Sequence, residues 1–250
     1  MKKRLIILLT AVCLIPGFVF PDIVTFKLGY FIPRAQSDLW EVEFENMDFV
    51  KSDFQGTNFS LAYEYFLSNQ LSLMVSIDGY TKQKAGFYEG YVGETIDGYD
   101  YAFDYGEGFP IGHVFSVSIT PIQLSMKLTP LGRKAKLIPF IGGGVGLYLW
   151  HVKLQGEIID FSNYDWFYDP NIDQDVVGYW VEPADLRDEN RLKVGFHVLG
   201  GFMMPIGNRI SLEAEFKYNL NIKHALESFV GFQDFDLSAY QIAVGLNYWF

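Results

Sequence analysis

Acyl chemistry needs a nucleophile held by a base, and four histidines could act as that base: His113, His151, His197 and His224. None has a serine two positions away, where a strand would present both side chains on one face. His113 is flanked at that distance by Ile111 and Phe115, and His197 by Gly195 and Leu199. A catalytic pair would have to form across strands, for instance between His113 and Ser76. For metal chemistry, Asp169-Pro170-Asn171-Ile172-Asp173-Gln174-Asp175 alternates oxygen ligands as a calcium loop does. Gln174, however, stands where the sharp turn wants glycine, and Trp180 where a bidentate glutamate would close the site. These residues assign no catalytic group, no cofactor and no metal. The reading is a non-enzymatic protein, with an interfacial acyl hydrolase or acyltransferase as the weaker alternative.

A second set of polar residues has a regular spacing. Lys27, Glu64, Asp78, Lys127, Lys193, His197, Glu213, Glu215 and Lys217, with Ser60, Ser76, Ser125 and Asn219, recur at every second position of segments that are otherwise apolar. Period two is the signature of a strand with one polar and one greasy face. In the first segment Phe26, Leu28, Tyr30 and Ile32 oppose Thr25, Lys27, Gly29 and Phe31; in the next Phe59, Leu61, Tyr63, Tyr65 and Leu67 oppose Ser60, Ala62, Glu64 and Phe66. Six more follow. They begin near Leu71, Ile122, Ile141, Leu192 and Ile210, and the last is Ile242, Val244, Leu246, Tyr248 and Phe250. Thr120-Pro121 is expected to mark a bulge at which parity changes. Gly142, Gly144 and Gly146 lie on the polar parity, where they would ease curvature of the strand.

The greasy faces need a cover that one small domain does not supply eight times over. After residue 20 no run of 18 apolar residues occurs, so helical spans are excluded. Lipid can instead be met by strands, provided the sheet closes so that no backbone edge faces hydrocarbon. The intervals between segments alternate long and short. Short turns fall at Ser68-Asn69, residues 131–136 and residues 205–209; long intervals cover residues 33–56, 83–111, 155–190 and 224–236. Short periplasmic turns and long external loops characterise outer-membrane barrels. The expectation is an all-β, closed antiparallel transmembrane barrel of about eight strands with both termini inside, ten being the alternative if strands lie within the long intervals.

The termini point to the same compartment. Lys2, Lys3 and Arg4 precede an apolar run from Leu5 to Ile15, the pattern of a secretory signal peptide over residues 1–20, with the barrel domain over 21–250. Its loss would remove Cys13, leaving no cysteine for disulfides or thiolate ligands. It would also leave 16 basic against 30 acidic residues, a formal charge of −14, which argues against a nucleic-acid partner. The final alternation Ile242, Val244, Leu246, Tyr248 and Phe250 resembles the C-terminal signature of bacterial outer-membrane barrels. That resemblance implies recognition by the barrel-assembly machinery during insertion, and outer-membrane lipids as the surrounding partner.

A narrower resemblance appears once the strands are aligned. Ser118-Ile119-Thr120-Pro121-Ile122-Gln123-Leu124-Ser125-Met126-Lys127-Leu128 and Pro139-Phe140-Ile141-Gly142-Gly143-Gly144-Val145-Gly146 resemble the fourth and fifth strands of small OmpW-like barrels. Leu28-Gly29-Tyr30-Phe31-Ile32-Pro33 is similar to the opening strand of that family. The resemblance implies a narrow eight-stranded outer-membrane barrel associated with passage of small hydrophobic molecules or with envelope integrity. Eight strands leave an interior that side chains can fill, so the inward ionic set reads as a polar network in the lumen.

The long intervals carry the remaining chemistry. Residues 155–190 hold ten acidic residues against Arg187, interleaved with Tyr164, Trp166, Phe167, Tyr168, Tyr179 and Trp180. Residues 83–111 hold six acidic residues against Lys84, again among tyrosines and phenylalanines. Aromatic anchors amid charge can form a binding surface for an extracellular ligand, and clustered carboxylates could attract divalent cations. The function expected is therefore an envelope or surface-interaction role through acidic aromatic loops, with a narrow hydrophobic conduit as the alternative.

Overall fold

The computed structural model describes residues 23–34, 36–38, 40, 44–220, 222–224 and 233–250, with the side chains of residues 189–191 and 224 excepted. The segment read as a signal peptide, and the side chain of His224, lie outside this set. Among the described residues no helix is long and apolar enough to cross a membrane.

The strands are β1 (Ile23–Pro33), β2 (Gly56–Phe66), β3 (Leu71–Phe87), β4 (Val92–Ile96), β5 (Tyr99–Phe103), β6 (Gly112–Leu128), β7 (Ile138–Asp169), β8 (Gln174–Pro205), β9 (Ile210–Leu220), β10 (Lys223–His224), β11 (Phe235–Asp236) and β12 (Ala239–Trp249). Eight of them close on themselves. The ladder runs β1-β2-β3-β6-β7-β8-β9-β12 and returns to β1, every pairing being antiparallel. Closure is sealed by Ile23↔Trp249 through Pro33↔Ala239, which leaves no free edge at the waist. The outward positions of these strands at that level carry no Asp, Glu, Lys or Arg; they are residues such as Leu28, Leu61, Ile141, Phe196, Val244 and Leu246, all largely exposed.

Three sequence expectations need correction. First, β6 keeps one parity throughout: His113, Phe115, Val117, Ile119, Pro121, Gln123, Ser125 and Lys127 are all buried, and the β3–β6 register is the same on both sides of Pro121. A proline lacks only its N–H, so one ladder bond is lost there without an extra residue being inserted. Second, residues 155–190 are no open loop. β7 and β8 are each 32 residues long and pair from Ile138↔Met203 up to Asp169↔Gln174, bending at register shifts near Trp150/Val152 and Asp160/Tyr164. Since about 10 residues suffice to cross a bilayer on a tilted strand, some 20 residues of each stand outside, on the order of 60 Å of ribbon at about 3.3 Å per residue. Third, residues 83–111 contain the hairpin β4–β5. Its turn at Asp97-Gly98 has φ of 53° and 86°, the left-handed pair that suits a two-residue hairpin. The hairpin adds to the β7–β8 ribbon through Tyr101↔Trp180 and Ala102↔Tyr179. Strands do lie within the long intervals, but above the barrel, whose own count stays at eight.

The glycines of β7 and β8 divide between two roles. A Cβ on Gly144 would stand 1.9 Å from the Leu124 carbonyl oxygen of β6, so close backbone approach and curvature require glycine there. At Gly146 and Gly195 a Cβ would instead meet the Tyr148 ring, at 3.0 and 2.8 Å. These two make room for a large inward side chain.

Candidate functional site

The lumen is filled in three layers. At the end bearing the short turns, Ile23, Phe66, Met74, Ile138, Phe140 and Met203 form an apolar floor. Above it lies the ionic layer. Lys27 Nζ sits 2.7 Å from Glu213 and 2.5 Å from Glu215; Lys127 Nζ sits 3.0 Å from Glu64 and 3.5 Å from Glu213. Lys217 Nζ reaches Asp78 at 2.8 Å and Gln123 at 2.9 Å, with Glu215 at 3.9 Å. Three lysines thus face four carboxylates, and uncharged donors take up the surplus: Ser72 donates to Glu64 at 2.5 Å and Asn247 to Glu213 at 3.2 Å. Such pairing is what permits charges to lie inside a low-dielectric wall at all.

Gln123 then links the ions to a neutral triad, donating to Tyr148 and Asn219 at 2.8 Å each, while Tyr148 donates to Asn219 at 3.1 Å. The third layer is an aromatic roof. The segment before β2 folds back into the barrel mouth, where Trp40, Phe44, Phe49 and Phe54 pack on Phe115 and Phe235. Short one-turn helical pieces at Phe44–Asn46 and Lys51–Phe54 aim these rings inward. Several bonds tie the segment down: the Tyr80 hydroxyl donates to the Phe54 carbonyl, His113 Nε2 lies 3.0 Å from the Met47 carbonyl, the Glu89 N–H donates to the Asn46 carbonyl at 3.2 Å, and Lys84 pairs with Asp53 at 3.4 Å.

Closed pairing, an outer waist free of ionised groups and hairpins confined to one end decide the class of this molecule. The chain is an outer-membrane β-barrel. No family model matches the barrel, and no curated protein matches it. Among solved structures it is similar to the attachment invasion locus protein Ail of Yersinia pestis, at 12% identity and a TM-score of 0.41, covering 92% of this chain and 100% of that one. It is similar also to Neisserial surface protein A, at 10% identity, 0.44, and 91% and 96% coverage. A third is OprG from Pseudomonas aeruginosa, at 12% identity, 0.49, and 92% and 96% coverage.

Of the polar residues read as luminal, Lys27, Glu64, Asp78, Lys127, Glu213, Glu215 and Lys217 meet in the ionic layer, and each is at most 4% exposed. Lys193 departs from that set. It shares the inward parity but is only half-buried, standing across from Tyr148 above the ion pairs, and makes none of them among the described residues. His197 is buried and lies 2.7 Å from Ser125 Oγ through Nε2, while its Nδ1 has no partner. This is the Ser–His contact that spacing along one strand could not give, since β6 and β8 are not neighbours. Among the described residues no third group orients it, and it is sealed within the lumen. The His113–Ser76 pair does not form: Ser76 is 3.5 Å from Gln123 instead. His151 is exposed.

Sequence reasoning missed Ser72, Gln123 and Asn247, although each sits at inward parity, and missed the roof residues altogether. The signal for the roof was the recurrence of Phe44, Phe49 and Phe54 in a segment too greasy for a solvated loop.

Outside the barrel the two hairpins enclose a cleft of about 590 Å³. Val92, Ile96, Phe103, Phe167 and Val176 give its apolar part, and Glu94, Glu107 and Asp169 its charged rim. Gly178 lets Phe103 and Phe167 close over the ribbon, since a Cβ there would stand 2.8 Å from both rings. Asp165 clamps the hairpins together by accepting from Tyr101 at 3.0 Å and from Trp180 Nε1 at 3.1 Å. Partial desolvation, and then the bond to Asp165, hold the Tyr101 phenol above its ordinary range; desolvation and the bond to Asp169 do the same for Tyr105. Both phenols therefore stay protonated at neutral pH and can donate. The sequence that resembled a calcium loop is the turn of this ribbon: Asp169 Oδ1 accepts from the Asn171 N–H at 2.7 Å, and Asp173 Oδ1 from the Tyr168 hydroxyl at 2.5 Å. Among the described residues no group of three or more metal-ligating side chains is assembled.

Proposed function

We propose that this outer-membrane barrel is a non-enzymatic surface-interaction protein, in which the barrel is an anchor and the joined hairpins are the working part. Three occlusions in series support an anchor over a conduit: an apolar floor, a layer of ion pairs and an aromatic roof. An apolar solute would have to cross the ionic layer, and a hydrated one the other two. Where Ser125 meets His197, the same occlusion keeps acyl substrates away, which favours a non-catalytic reading over the interfacial enzyme. Projection of aromatic and acidic residues far beyond the waist, on a ribbon held rigid by backbone pairing, favours recognition of something outside the cell.

Reconstitution in planar bilayers and solute-loaded vesicles tests the proposal. The expected result is no steady conductance and no entry of small apolar or polar solutes. Removing residues 36–54, and with them the roof, should leave the barrel closed by the ionic layer. Flux through the intact protein would overturn the anchor reading and restore the narrow conduit.

A further inference from the structure

We infer that the cleft between the two hairpins receives a basic amphipathic peptide segment, one that alternates lysine or arginine with apolar side chains. The inference rests on the surface-interaction reading and adds to it a location and a chemical class of partner.

Volume comes first. About 590 Å³ is enough for a few side chains, within the usual range of about 300–1,000 Å³ for built ligand sites. Its lining is mixed: Val92, Phe103, Phe167 and Val176 supply apolar surface among polar groups, so an occupant that carries both hydrophobic and polar side chains matches it. Its rim carries carboxylates from three separate elements: Glu94 on β4, Glu107 in the segment after β5, and Asp169 at the end of β7. Three carboxylates call for more than one cation to balance them. Several cations spaced along an apolar body fit the arrangement better, which excludes simple cationic amphiphiles by charge count and polyamines by their lack of a hydrophobic body.

The surroundings reinforce this choice. The hairpin intervals hold sixteen acidic residues, six in residues 83–111 and ten in residues 155–190, against Lys84 and Arg187. Both cations are already engaged, Lys84 with Asp53 at 3.4 Å and Arg187 with Asp185 at 2.7 Å. Among the described residues no basic side chain lines the cleft, and the summed field attracts cations from a distance. Tyr168 also lines the cleft, and its ring is fixed by the hydroxyl bond to Asp173, offering a face on which a guanidinium can rest.

The test uses the full barrel in zwitterionic nanodiscs, with empty nanodiscs as baseline and binding read by fluorescence anisotropy. Probes are a labelled lysine–leucine peptide, the same peptide with glutamine for lysine, an oligolysine of equal charge, and spermidine. The lysine–leucine peptide is expected to bind, at least about tenfold more tightly than the other three, and to weaken as salt rises. The triple variant Glu94→Gln, Glu107→Gln, Asp169→Asn should lose about tenfold or more. A charge-matched control, Glu157→Gln, Asp160→Asn, Glu182→Gln, should lose less than about threefold. Equal loss in both variants would overturn the cleft as a site and leave only a diffuse field. Preference for oligolysine or spermidine would overturn the amphipathic requirement, and no binding of any probe would overturn the inference outright. None of these outcomes touches the anchor reading, which only flux through the intact barrel overturns.

Discussion

The lumen and the external hairpins are both rich in carboxylates, but they handle them in opposite ways. In the lumen four carboxylates meet three lysines at 2.5–3.9 Å, and Ser72 and Asn247 add neutral donors to Glu64 and Glu213. In the hairpins sixteen acidic residues meet two cations. The difference is water. Inside a wall of low dielectric, a carboxylate without a partner costs several kcal/mol, so each luminal charge has to be matched. On the hairpins solvent screens each charge, unmatched acids are tolerated, and their combined field reaches outward. The aromatic residues divide likewise: Phe44, Phe54 and Phe115 are 0–1% exposed and close the mouth, whereas Trp166 is 65% exposed on the ribbon. One region is closed and matched in charge, the other is open to solvent.

The contrast predicts a graded set of mutational effects. Glu213→Ala should do most damage, because it removes the carboxylate that Lys27 and Lys127 share and leaves Lys27 only Glu215 and Lys127 only Glu64; a loss of about 3–5 kcal/mol is expected from breaking a buried pair. Urea unfolding in lipid vesicles measures it, and a loss under about 1 kcal/mol would mean that water reaches the layer. Next comes Val244→Arg, which sets a charge on the lipid face midway along β12. A cost of roughly 2–4 kcal/mol is expected at the bilayer midplane, by the same assay; near-neutrality would move the hydrocarbon belt elsewhere. Trp166→Ala should be smallest, under about 0.5 kcal/mol, since the ring is exposed and meets the Tyr164 ring only edge-on at 6.5 Å. A larger value would place the ribbon among the elements that stabilise the fold and blur the division between the two regions.

Much of the waist was legible in the sequence, because side-chain direction in a strand depends only on parity. The alternation of Leu28 with Lys27, or of Leu212 with Glu213, assigns each to lipid or lumen without knowledge of any partner. The Pro121 bulge failed as an expectation because proline changes hydrogen bonding without changing parity. The hairpins were read as loops because their acidity masked the alternation of Tyr164, Trp166 and Tyr168 and the Asp97-Gly98 turn, both of which are strand signals. Lys193 was grouped with the ion pairs by parity, but parity says nothing about height, and its level in the barrel lies above them.

By itself, then, the sequence determined the strands, their two faces and the side on which long connections gather, since all three follow from period two and interval length. Only the tertiary structure decided which lysine meets which carboxylate, that Ser125 reaches His197, that the segment before β2 closes the mouth, and that two hairpins join to form a cleft. Those contacts join residues up to 195 positions apart, as Trp40 and Phe235 are. They depend on the stagger at which the sheet closes, a property of all eight strands together that no single segment encodes.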